Sequence, residues 1–415
     1  MKKVFCFVLF FCTFLSTSFS VSGVDMVVKE NESVAVNNFP DQTLITDSLP
    51  VEIHGKSAVL IDVESGEVLL EYNPDEKLFP ASVTKIMTML LVAEAIDENR
   101  ITLADKVTCS ANAASKGGSQ IWLEEGEVMT VDELLKATVI GSANDAATLL
   151  GEYIAGSEQG FIDMMNSRAK ELGMANTNFE NATGLDDTTD THLTTARDIA
   201  IMSVELLRHD FITDYTTVWM DSLRNGETEL VNTNKLVRFY SGTTGLKTGT
   251  TAKAGCCVSA SAKRDGLHLV AVVMGSLTSD ERFNSAKAML DWGFSNYISF
   301  KPEIDTTSIE KITVKKGKQA EVCAELSEIL PITLKKGEES DVSVKIEMDE
   351  NLTAPIEKGQ TLGILTIETS ENRKYEYKIT ARTKVEKLSF FDCMIKALNF
   401  IGNGEKEYPA YLSDT

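Results

Sequence analysis

The feature that most constrains the fold is a long apolar segment, residues 86–96, which follows the hexapeptide PASVTK at residues 80–85. A proline just ahead of an apolar run predicts a helix that begins near Ser82. Because residues 86–96 are apolar on nearly every side, this helix is expected in the middle of a domain. Ser82 and Lys85 are three residues apart, so both side chains project from one face of the first turn.

A hydroxyl and an amine in this position have the chemistry of a nucleophile beside its base. The dipole at a helix N-terminus favours the negative charge that develops on Ser82 during attack. Burial shifts Lys85 toward its neutral form, and only the neutral amine can accept a proton. An S-x-x-K pattern is a weak signal alone, since an ordinary helix cap has the same residue types, so the interpretation depends on partners elsewhere in the chain.

Two further motifs lie downstream. Residues 142–144 (SAN) are predicted at the end of a helix that begins with the capping box of residues 130–133 (TVDE). Residues 247–249 (KTG) precede sequence with strand character. The order S-x-x-K, S-x-N, K-T-G is the set found in penicillin-binding proteins and class A β-lactamases.

Longer stretches of the chain are similar to the low-molecular-weight D-alanyl-D-alanine carboxypeptidases of peptidase family S11, over roughly residues 44–385. The resemblance implies the serine acyl-transferase, β-lactamase-like α+β fold. In it, an antiparallel sheet with flanking helices and a helical subdomain precedes a small all-β C-terminal domain. It implies neither a cofactor nor a metal. The segments that carry the resemblance are PASVTKIMT, GGSQIWL, TVDELLKATVIGSANDAA, GSE, AKELGM, NATGL and GLKTGTTAKAG.

The resemblance also implies catalytic roles. Ser82 would form an acyl-enzyme with the penultimate D-alanine, and Lys85 would accept its proton, with its pKa lowered by burial and by the second ammonium at Lys247. Ser142 would relay that proton to the departing D-alanine. Asn144 would hydrogen-bond Lys85 and the substrate amide together, because its side chain offers both a donor and an acceptor.

A second group of residues is expected to hold the substrate. Lys247 and the Thr248 hydroxyl suit the free carboxylate of the leaving D-alanine, and Gly249 lets the strand approach the substrate closely. The backbone N–H groups of Ser82 and Thr250 would form the oxyanion hole. The family often carries histidine where this chain has Thr250, and the backbone role is independent of that side chain.

Two other enzyme classes use the same motifs. A class A β-lactamase adds a glutamate beside a hydrolytic water, and Glu180 lies in the corresponding region, although the sequence around it resembles carboxypeptidases. A DD-endopeptidase or transpeptidase would use the same residues with a different amine or acceptor. The resemblance favours the carboxypeptidase, which acts on peptidoglycan stem peptides and which β-lactam antibiotics acylate.

The N-terminus predicts export. Residues 1–23 combine two lysines, a short apolar core and small residues, which is typical of a signal peptide cleaved after Ser20 or Gly23. The net charge of −22 argues against nucleic acid as a partner. The mature chain has an odd, scattered set of five cysteines, which predicts no disulfide framework. Cys256 and Cys257 are interpreted as buried packing residues, with a reactive thiol as the alternative.

The expected organisation has five parts. The last of them, residues 386–402, spaces its apolar residues three and four apart and predicts an amphipathic helix on the membrane surface, with packing on the β domain as the alternative. The enzyme would therefore act at the extracytoplasmic face of a bacterial membrane. The other four parts are a signal peptide (1–23), a flexible lead-in (24–50), a penicillin-binding peptidase domain (51–298) and an all-β domain (301–382).

Overall fold

A computed structural model describes residues 49–306, 309, 311–349 and 351–395 of the 415-residue chain. The predicted signal peptide lies outside the described residues. So do nearly all of the predicted lead-in and the last seven residues, 396–402, of the predicted C-terminal helix.

The first part of the described chain alternates strands with helices, as the sequence predicts for an α+β domain. Its elements, in chain order, are β1 (Ser57–Asp62), β2 (Val68–Tyr72), α1 (Lys85–Asp97), β3 (Lys106–Thr108), α2 (Ala111–Ala114), β4 (Val128–Thr130), α3 (Val131–Val139), α4 (Asn144–Ala155), α5 (Glu158–Glu171), α6 (Ala196–Leu207), α7 (Thr213–Thr216), β5 (Met220–Leu223), β6 (Thr228–Val231), α8 (Leu236–Phe239), β7 (Thr243–Thr251), β8 (Gly255–Arg264), β9 (Leu267–Ser276), α9 (Ser279–Asn296) and β10 (Tyr297–Phe300).

The central sheet is antiparallel, with strand order β2-β1-β9-β8-β7. Strands β1 and β2 form an antiparallel hairpin. Every residue of β9 is buried, because helices cover both faces of the sheet at its centre. Strand β7 is one of the two edge strands, and its unpaired side faces the segment that carries Ser82.

Alternate residues of the sheet enter two different cores. Val59, Val270 and Val272 pack with α1 and α6 on one face. Leu60 and Ala271 pack with α9 on the other face. This alternation follows from the two-residue period of a strand. The helix α1 lies in the interior, as its mainly apolar sequence predicts.

The helical subdomain shows the local signals that the sequence predicts. Thr130 and Glu133 form the reciprocal capping box at the start of α3. Gly173, in a left-handed conformation with φ of 77°, follows the end of α5. One prediction is wrong in detail: residues 142–144 do not end α3 but join it to α4, since α3 ends at Val139 and Asn144 begins α4.

The second part of the described chain is all-β, as predicted. Two apolar clusters fill it, one around Val314 and Ile356 and the other around Leu334 and Leu365. Its main sheet is antiparallel, with the strand order β11-β12-β16-β15-β14. The strands are β11 (Lys311–Thr313), β12 (Glu321–Leu326), β13 (Ile332–Lys335), β14 (Ser343–Met348), β15 (Thr361–Glu368) and β16 (Lys374–Ala381).

Strand pairing and side chains join the two parts. Strand β10 pairs with β13, so the boundary predicted between residues 298 and 301 falls inside a strand that belongs to both parts. The Thr333 hydroxyl donates to the Asp62 carboxylate at the end of β1 (2.9 Å). Arg373 forms an ion pair with Glu67 in the β1–β2 turn.

The described chain ends in the first turn and a half of a helix, residues 390–395. Ser389 caps it by accepting a hydrogen bond from the Asp392 N–H (3.2 Å). Phe390 and Phe391 are 80% and 69% exposed. Among the residues that the structure describes, none of the helices combines the length and apolarity needed to cross a bilayer.

Candidate active site

Ser82 lies in a 3-10 turn, Ala81–Thr84, that leads directly into α1. The sequence predicts the serine on the first α-helical turn, so the helix type at this point differs from the prediction. In a 3-10 turn the side chains at i and i+3 are eclipsed, and Ser82 and Lys85 therefore still meet. Their Oγ and Nζ atoms are 3.1 Å apart.

Lys85 is fully buried, with none of its side chain exposed. Besides the Ser82 hydroxyl, its Nζ contacts two oxygens that can only accept hydrogen bonds. These are the side-chain Oδ1 of Asn144 (2.6 Å) and the backbone carbonyl of Thr183 (2.9 Å). An ammonium group with three protons is thus fully satisfied by three acceptors.

The same geometry orients the neutral amine. Neutral Lys85 has two N–H bonds, and these go to the two acceptor-only oxygens of Asn144 and Thr183. The lone pair then points at the remaining neighbour, the Ser82 hydroxyl. The predicted base therefore faces the predicted nucleophile without any side-chain rearrangement.

The electrostatic surroundings favour the neutral form of Lys85. Burial first, and then the nearby Lys247 ammonium, hold the Lys85 pKa well below its usual value, while Asp145 opposes the shift. Burial, followed by the charge of Arg282, lowers the pKa of Lys247 to about 7. Among the described residues, none of the salt bridges involves Lys85, Lys247 or Arg282.

The S-A-N motif reaches the site through a break between helices. Ser142 has a left-handed φ of 61° and is 4% exposed. Asn144 is held from two sides by the loop before it: its Nδ2 donates to the Gly117 carbonyl (2.7 Å) and its N–H to the Ser119 carbonyl (2.7 Å). These bonds fix the Asn144 amide so that its oxygen, rather than its nitrogen, faces Lys85.

The K-T-G motif lies inside β7, and β8 follows it, in agreement with the strand character predicted there. The side chains of Lys247 and Thr248 are buried, and the Thr248 hydroxyl donates to Thr233 (2.8 Å). A Cβ atom at Gly249 would lie 2.8 Å from the backbone nitrogen of Ser82. Glycine is therefore required because β7 passes against the segment that carries the nucleophile, in addition to any approach of the substrate.

Thr250 is exposed at the open side of β7, and its hydroxyl accepts from Arg282 (2.9 Å). The same Nη1 atom donates to the Gly249 carbonyl (2.8 Å) and the Cys257 carbonyl (3.1 Å). Arg282, on α9, thus ties β7 to β8 behind the residues predicted to bind the substrate.

Two contributors to the site lie outside the three catalytic motifs. Thr183 acts through its backbone carbonyl, which has no residue-type signature. Asp145 directly follows Asn144, and its buried carboxylate accepts from the N–H groups of Ile121 (3.2 Å) and Leu123 (3.0 Å). An acidic residue at the start of a predicted helix is an ordinary observation, so only the fold shows that it holds the loop beside Asn144.

His192 occupies a structural position. Its Nδ1 accepts from the Glu180 N–H (3.1 Å), so the ring proton is on Nε2 and is donated to the Thr84 hydroxyl (2.9 Å). Burial lowers its pKa to about 4, and the ring is neutral. The bond to Thr84 links the loop around residue 180 to the turn that carries Ser82.

The residues considered for other chemistries lie in different environments. The Glu180 carboxylate hydrogen-bonds the Thr191 hydroxyl within its own loop. Cys256 and Cys257 are 8% and 0% exposed and free, as expected of packing residues. Burial raises the pKa of Cys257 to about 11, which keeps it a thiol.

Comparison with known proteins gives one family for most of the chain. The sequence profile of peptidase family S11, D-alanyl-D-alanine carboxypeptidase, matches residues 43–278. The profile of the penicillin-binding protein 5 C-terminal domain matches residues 301–387. D-alanyl-D-alanine carboxypeptidase DacF of Bacillus subtilis is 46% identical over 81% of this chain and 87% of that protein.

Solved structures agree with these sequence matches. Penicillin-binding protein 5 from Haemophilus influenzae superposes with a TM-score of 0.72 at 30% identity, over 82% of this chain and all of that one. Penicillin-binding protein D2 from Listeria monocytogenes, solved in an ampicillin-bound form, superposes with a TM-score of 0.55 at 31% identity, over 59% of this chain and all of that one.

Proposed function

The chain belongs to peptidase family S11, the D-alanyl-D-alanine carboxypeptidases, and from this premise we propose that Ser82 and Lys85 are its nucleophile and base. The protein is a serine-type carboxypeptidase that removes the terminal D-alanine from peptidoglycan stem peptides. Penicillins, which resemble that terminus, acylate the same serine.

The first half of the reaction forms an ester on Ser82. Its Oγ attacks the penultimate D-alanine carbonyl carbon while the Oγ proton moves to Lys85 Nζ. The negative charge on the carbonyl oxygen is stabilised by the N–H groups of Ser82 and Thr250. The C–N bond then breaks, and the leaving amine takes a proton through Ser142, which releases free D-alanine. Among the described residues, none of the hydrogen bonds uses the Ser142 hydroxyl, so it is available for this relay.

The second half hydrolyses the ester. A water attacks the same carbonyl, neutral Lys85 accepts the water's proton, and Ser82 regains its hydroxyl as the peptide leaves. Asn144 keeps Lys85 in place throughout, because its Oδ1 can accept from either protonation state of the amine.

Recognition of the leaving D-alanine depends on its carboxylate. Lys247 is proposed to bind it together with Thr248, whose hydroxyl would turn its proton from Thr233 to the carboxylate. Gly249 allows β7 to run close to both the substrate and Ser82. Lys247 lacks a carboxylate partner among the described residues, so a bound substrate carboxylate would supply the missing counter-charge. Charge-assisted hydrogen bonds of this kind are among the stronger ones in proteins.

One observation carries the proposal: the lone pair of neutral Lys85 has the Ser82 hydroxyl as its remaining neighbour. An ordinary helix cap would not need a buried lysine whose other contacts are both acceptor-only oxygens. A buried lysine with a lowered pKa next to a hydroxyl is the arrangement that nucleophilic catalysis requires.

The test uses the mature protein and an acylated peptide that ends in D-Ala-D-Ala. We expect release of D-alanine, inhibition by penicillin, and labelling of the protein by a fluorescent penicillin. Ser82→Ala should abolish both release and labelling, whereas Ser167→Ala, on the exposed side of α5, should change neither. Labelling that persists in Ser82→Ala would disprove the assignment, and rapid turnover of penicillin would favour a β-lactamase.

The same proposal includes the location of the enzyme. Residues 1–23 would direct export, and residues 386–402 would hold the mature enzyme at the extracytoplasmic membrane surface. The exposed phenylalanines at positions 390 and 391 support the second point, because an amphipathic helix binds a bilayer through such residues. The division into a peptidase domain (51–298) and an all-β domain (301–382) is part of this arrangement.

A further inference from the structure

A groove lies on the helical subdomain at the far end of α4 from Asn144. Its volume is about 560 Å³, within the range of small-ligand sites, about 300–1,000 Å³. Leu149 and Val107, both buried, form part of its apolar floor. We call it the α4 groove and define it by its polar and aromatic rim: Ser110, Asn112, Glu152, Tyr153 and Glu158.

The rim is organised around two carboxylates. The amide nitrogen of Asn112 donates to Glu152 (2.7 Å) and to Glu158 (2.8 Å), and so bridges them. Ser110 donates to Glu152 (2.5 Å) and Lys116 to Glu158 (2.6 Å). The two side chains are therefore fixed in position before any ligand binds.

Each carboxylate keeps capacity for more hydrogen bonds. A carboxylate offers about four acceptor positions, and Glu152 and Glu158 each use two of them within the protein. Groups that donate, such as the hydroxyls of a ligand, can use the remaining positions. The half-exposed ring of Tyr153 adds an apolar surface beside them, 38% exposed.

The charges of the groove disfavour an anion. Glu158 pairs with Lys116 (2.6 Å), whereas Glu152 accepts from the uncharged Ser110 and Asn112. The Tyr153 hydroxyl donates to a third carboxylate, Asp105 (3.1 Å), so the rim offers acceptors mainly to groups that donate hydrogen bonds. A ligand that presents both an apolar ring face and several hydroxyl donors matches the groove, and this is the chemistry of a sugar.

One short segment of the chain links the groove to the catalytic residues. Lys116 pairs with Glu158 at the groove, and the next residue, Gly117, accepts a hydrogen bond from Asn144. Asn144 and Glu152 lie eight residues apart on one helix, a rise of about 12 Å. Four extended residues of a peptide span about 13–14 Å.

The helix rise and the peptide span are similar in length, as expected if a stem peptide of the proposed function lies along α4. This inference rests on that proposed function. A stem peptide held at Ser82 by its fourth residue carries its glycan at the other end, about four residues away. We propose that the α4 groove binds the glycan of peptidoglycan, so that a stem peptide and its sugars occupy the cleft and the groove together.

The test compares two substrates that differ only in sugar: a pentapeptide ending in D-Ala-D-Ala and the same peptide attached to its N-acetylated disaccharide. We expect the disaccharide to raise kcat/KM about tenfold through a lower KM, because binding remote from the reacting bond is equal in ground and transition states. Tyr153→Ala and Glu152→Gln should each reduce this preference toward one.

Tyr153→Ala and Glu152→Gln test the inference only if they leave the hydrolysis reaction itself unchanged. Both should hydrolyse the sugar-free peptide at the wild-type rate, which also shows that they are folded. Glu171→Gln, an exposed change on the same helix as Glu158, should keep the full preference. Equal kcat/KM for the two substrates in the wild type, or an unchanged preference in both groove variants, would overturn the inference. Failure to hydrolyse either peptide would instead overturn the proposed function.

Discussion

Two buried lysines share the proposed catalytic cleft, and each is disfavoured as a charge. Lys85 and Lys247 are 0% and 1% exposed, and neither has a carboxylate partner within the described residues. Burying an ammonium without a counter-ion is unfavourable, so its proton is bound more weakly than in water. This penalty supports both proposed roles: it favours the neutral form that Lys85 needs to act as a base, and it favours binding of an anion at Lys247.

Removing the Lys247 charge should weaken the use of carboxylate-bearing substrates. Loss of a charge-assisted hydrogen bond corresponds to about 1.5–3 kcal/mol, or about 10- to 100-fold in kcat/KM. We expect this loss for Lys247→Ala, measured with a D-Ala-D-Ala peptide, and none for Lys311→Ala, an exposed change in β11. Unchanged kcat/KM in Lys247→Ala would show that another group, such as Arg282, binds the carboxylate.

The pH dependence should reveal the coupling between the two lysines. Lys85 must lose its proton to act as a base, so kcat/KM rises as the pH passes upward through the Lys85 pKa. The Lys247 charge lowers that pKa. In Lys247→Ala the repulsion is gone, the Lys85 pKa rises, and the acidic limb of the profile should move to higher pH.

The fall of kcat/KM at alkaline pH should result from deprotonation of Lys247. Its pKa is about 7 in the free enzyme, and loss of its charge above that pH removes the partner of the substrate carboxylate. Lys247→Arg keeps a charge at every accessible pH, so its alkaline limb should shift upward or disappear. A variant with the wild-type alkaline limb would assign that limb to a different group.

At the scale of elements, the site depends on backbone segments that pass unusually close to one another. Gly184 has a φ of 85°, and a Cβ there would lie 1.7 Å from the carbonyl oxygen of Ala81. The neighbouring Thr183 carbonyl accepts from Lys85. The loop of residues 178–194 thus packs closely against the turn that carries Ser82 and holds this turn in position.

A matched pair of glycine substitutions tests this contact. Gly173 has a similar φ of 77°, but a Cβ added there would have nothing within 4 Å of it. Gly173→Ala should cost about 1–2 kcal/mol from the left-handed backbone alone, a fall of about 2–8 °C in Tm. Gly184→Ala should lower Tm further and also reduce kcat, because the clash displaces the Ser82 turn. If Gly184→Ala and Gly173→Ala had the same effect on Tm and the same effect on activity, the contact between Gly184 and Ala81 would be unimportant.

At the scale of the whole molecule, the all-β domain is attached by more than a linker. Strand β10 pairs with β13, and Thr333 and Arg373 contact the β1–β2 hairpin through Asp62 and Glu67. These contacts hold the all-β domain to the sheet that carries β7. An enzyme held at a surface by its C-terminus would thereby keep its cleft at a set distance from that surface.

Removal of residues 386–415 should detach the mature enzyme from membranes and leave peptide hydrolysis intact. Fully buried phenylalanines contribute about 1.5–3 kcal/mol each to the transfer of a helix from water to lipid. Co-sedimentation with lipid vesicles of mixed zwitterionic and anionic composition measures the change. The full-length double variant Phe390→Ser and Phe391→Ser should also bind less tightly. A full-length mature protein that stays in the supernatant would disprove the anchor.

Much of this protein follows from its sequence alone. The mainly apolar residues 86–96 predict the buried helix, and the capping box at Thr130 predicts a helix start, because these signals act between residues close in the chain. The three motifs, in their order, indicate the acyl-transfer chemistry. The proposed roles of their residues remain predictions.

The tertiary structure decided what the motif residues touch. Lys85 meets Asn144 and Thr183, which are 59 and 98 residues away along the chain. The carbonyls of Gly117 and Thr183 have no side-chain signature, since every residue carries the same backbone oxygen. Whether such a carbonyl reaches an amine depends on how distant loops pack, and packing is a property of the folded chain as a whole.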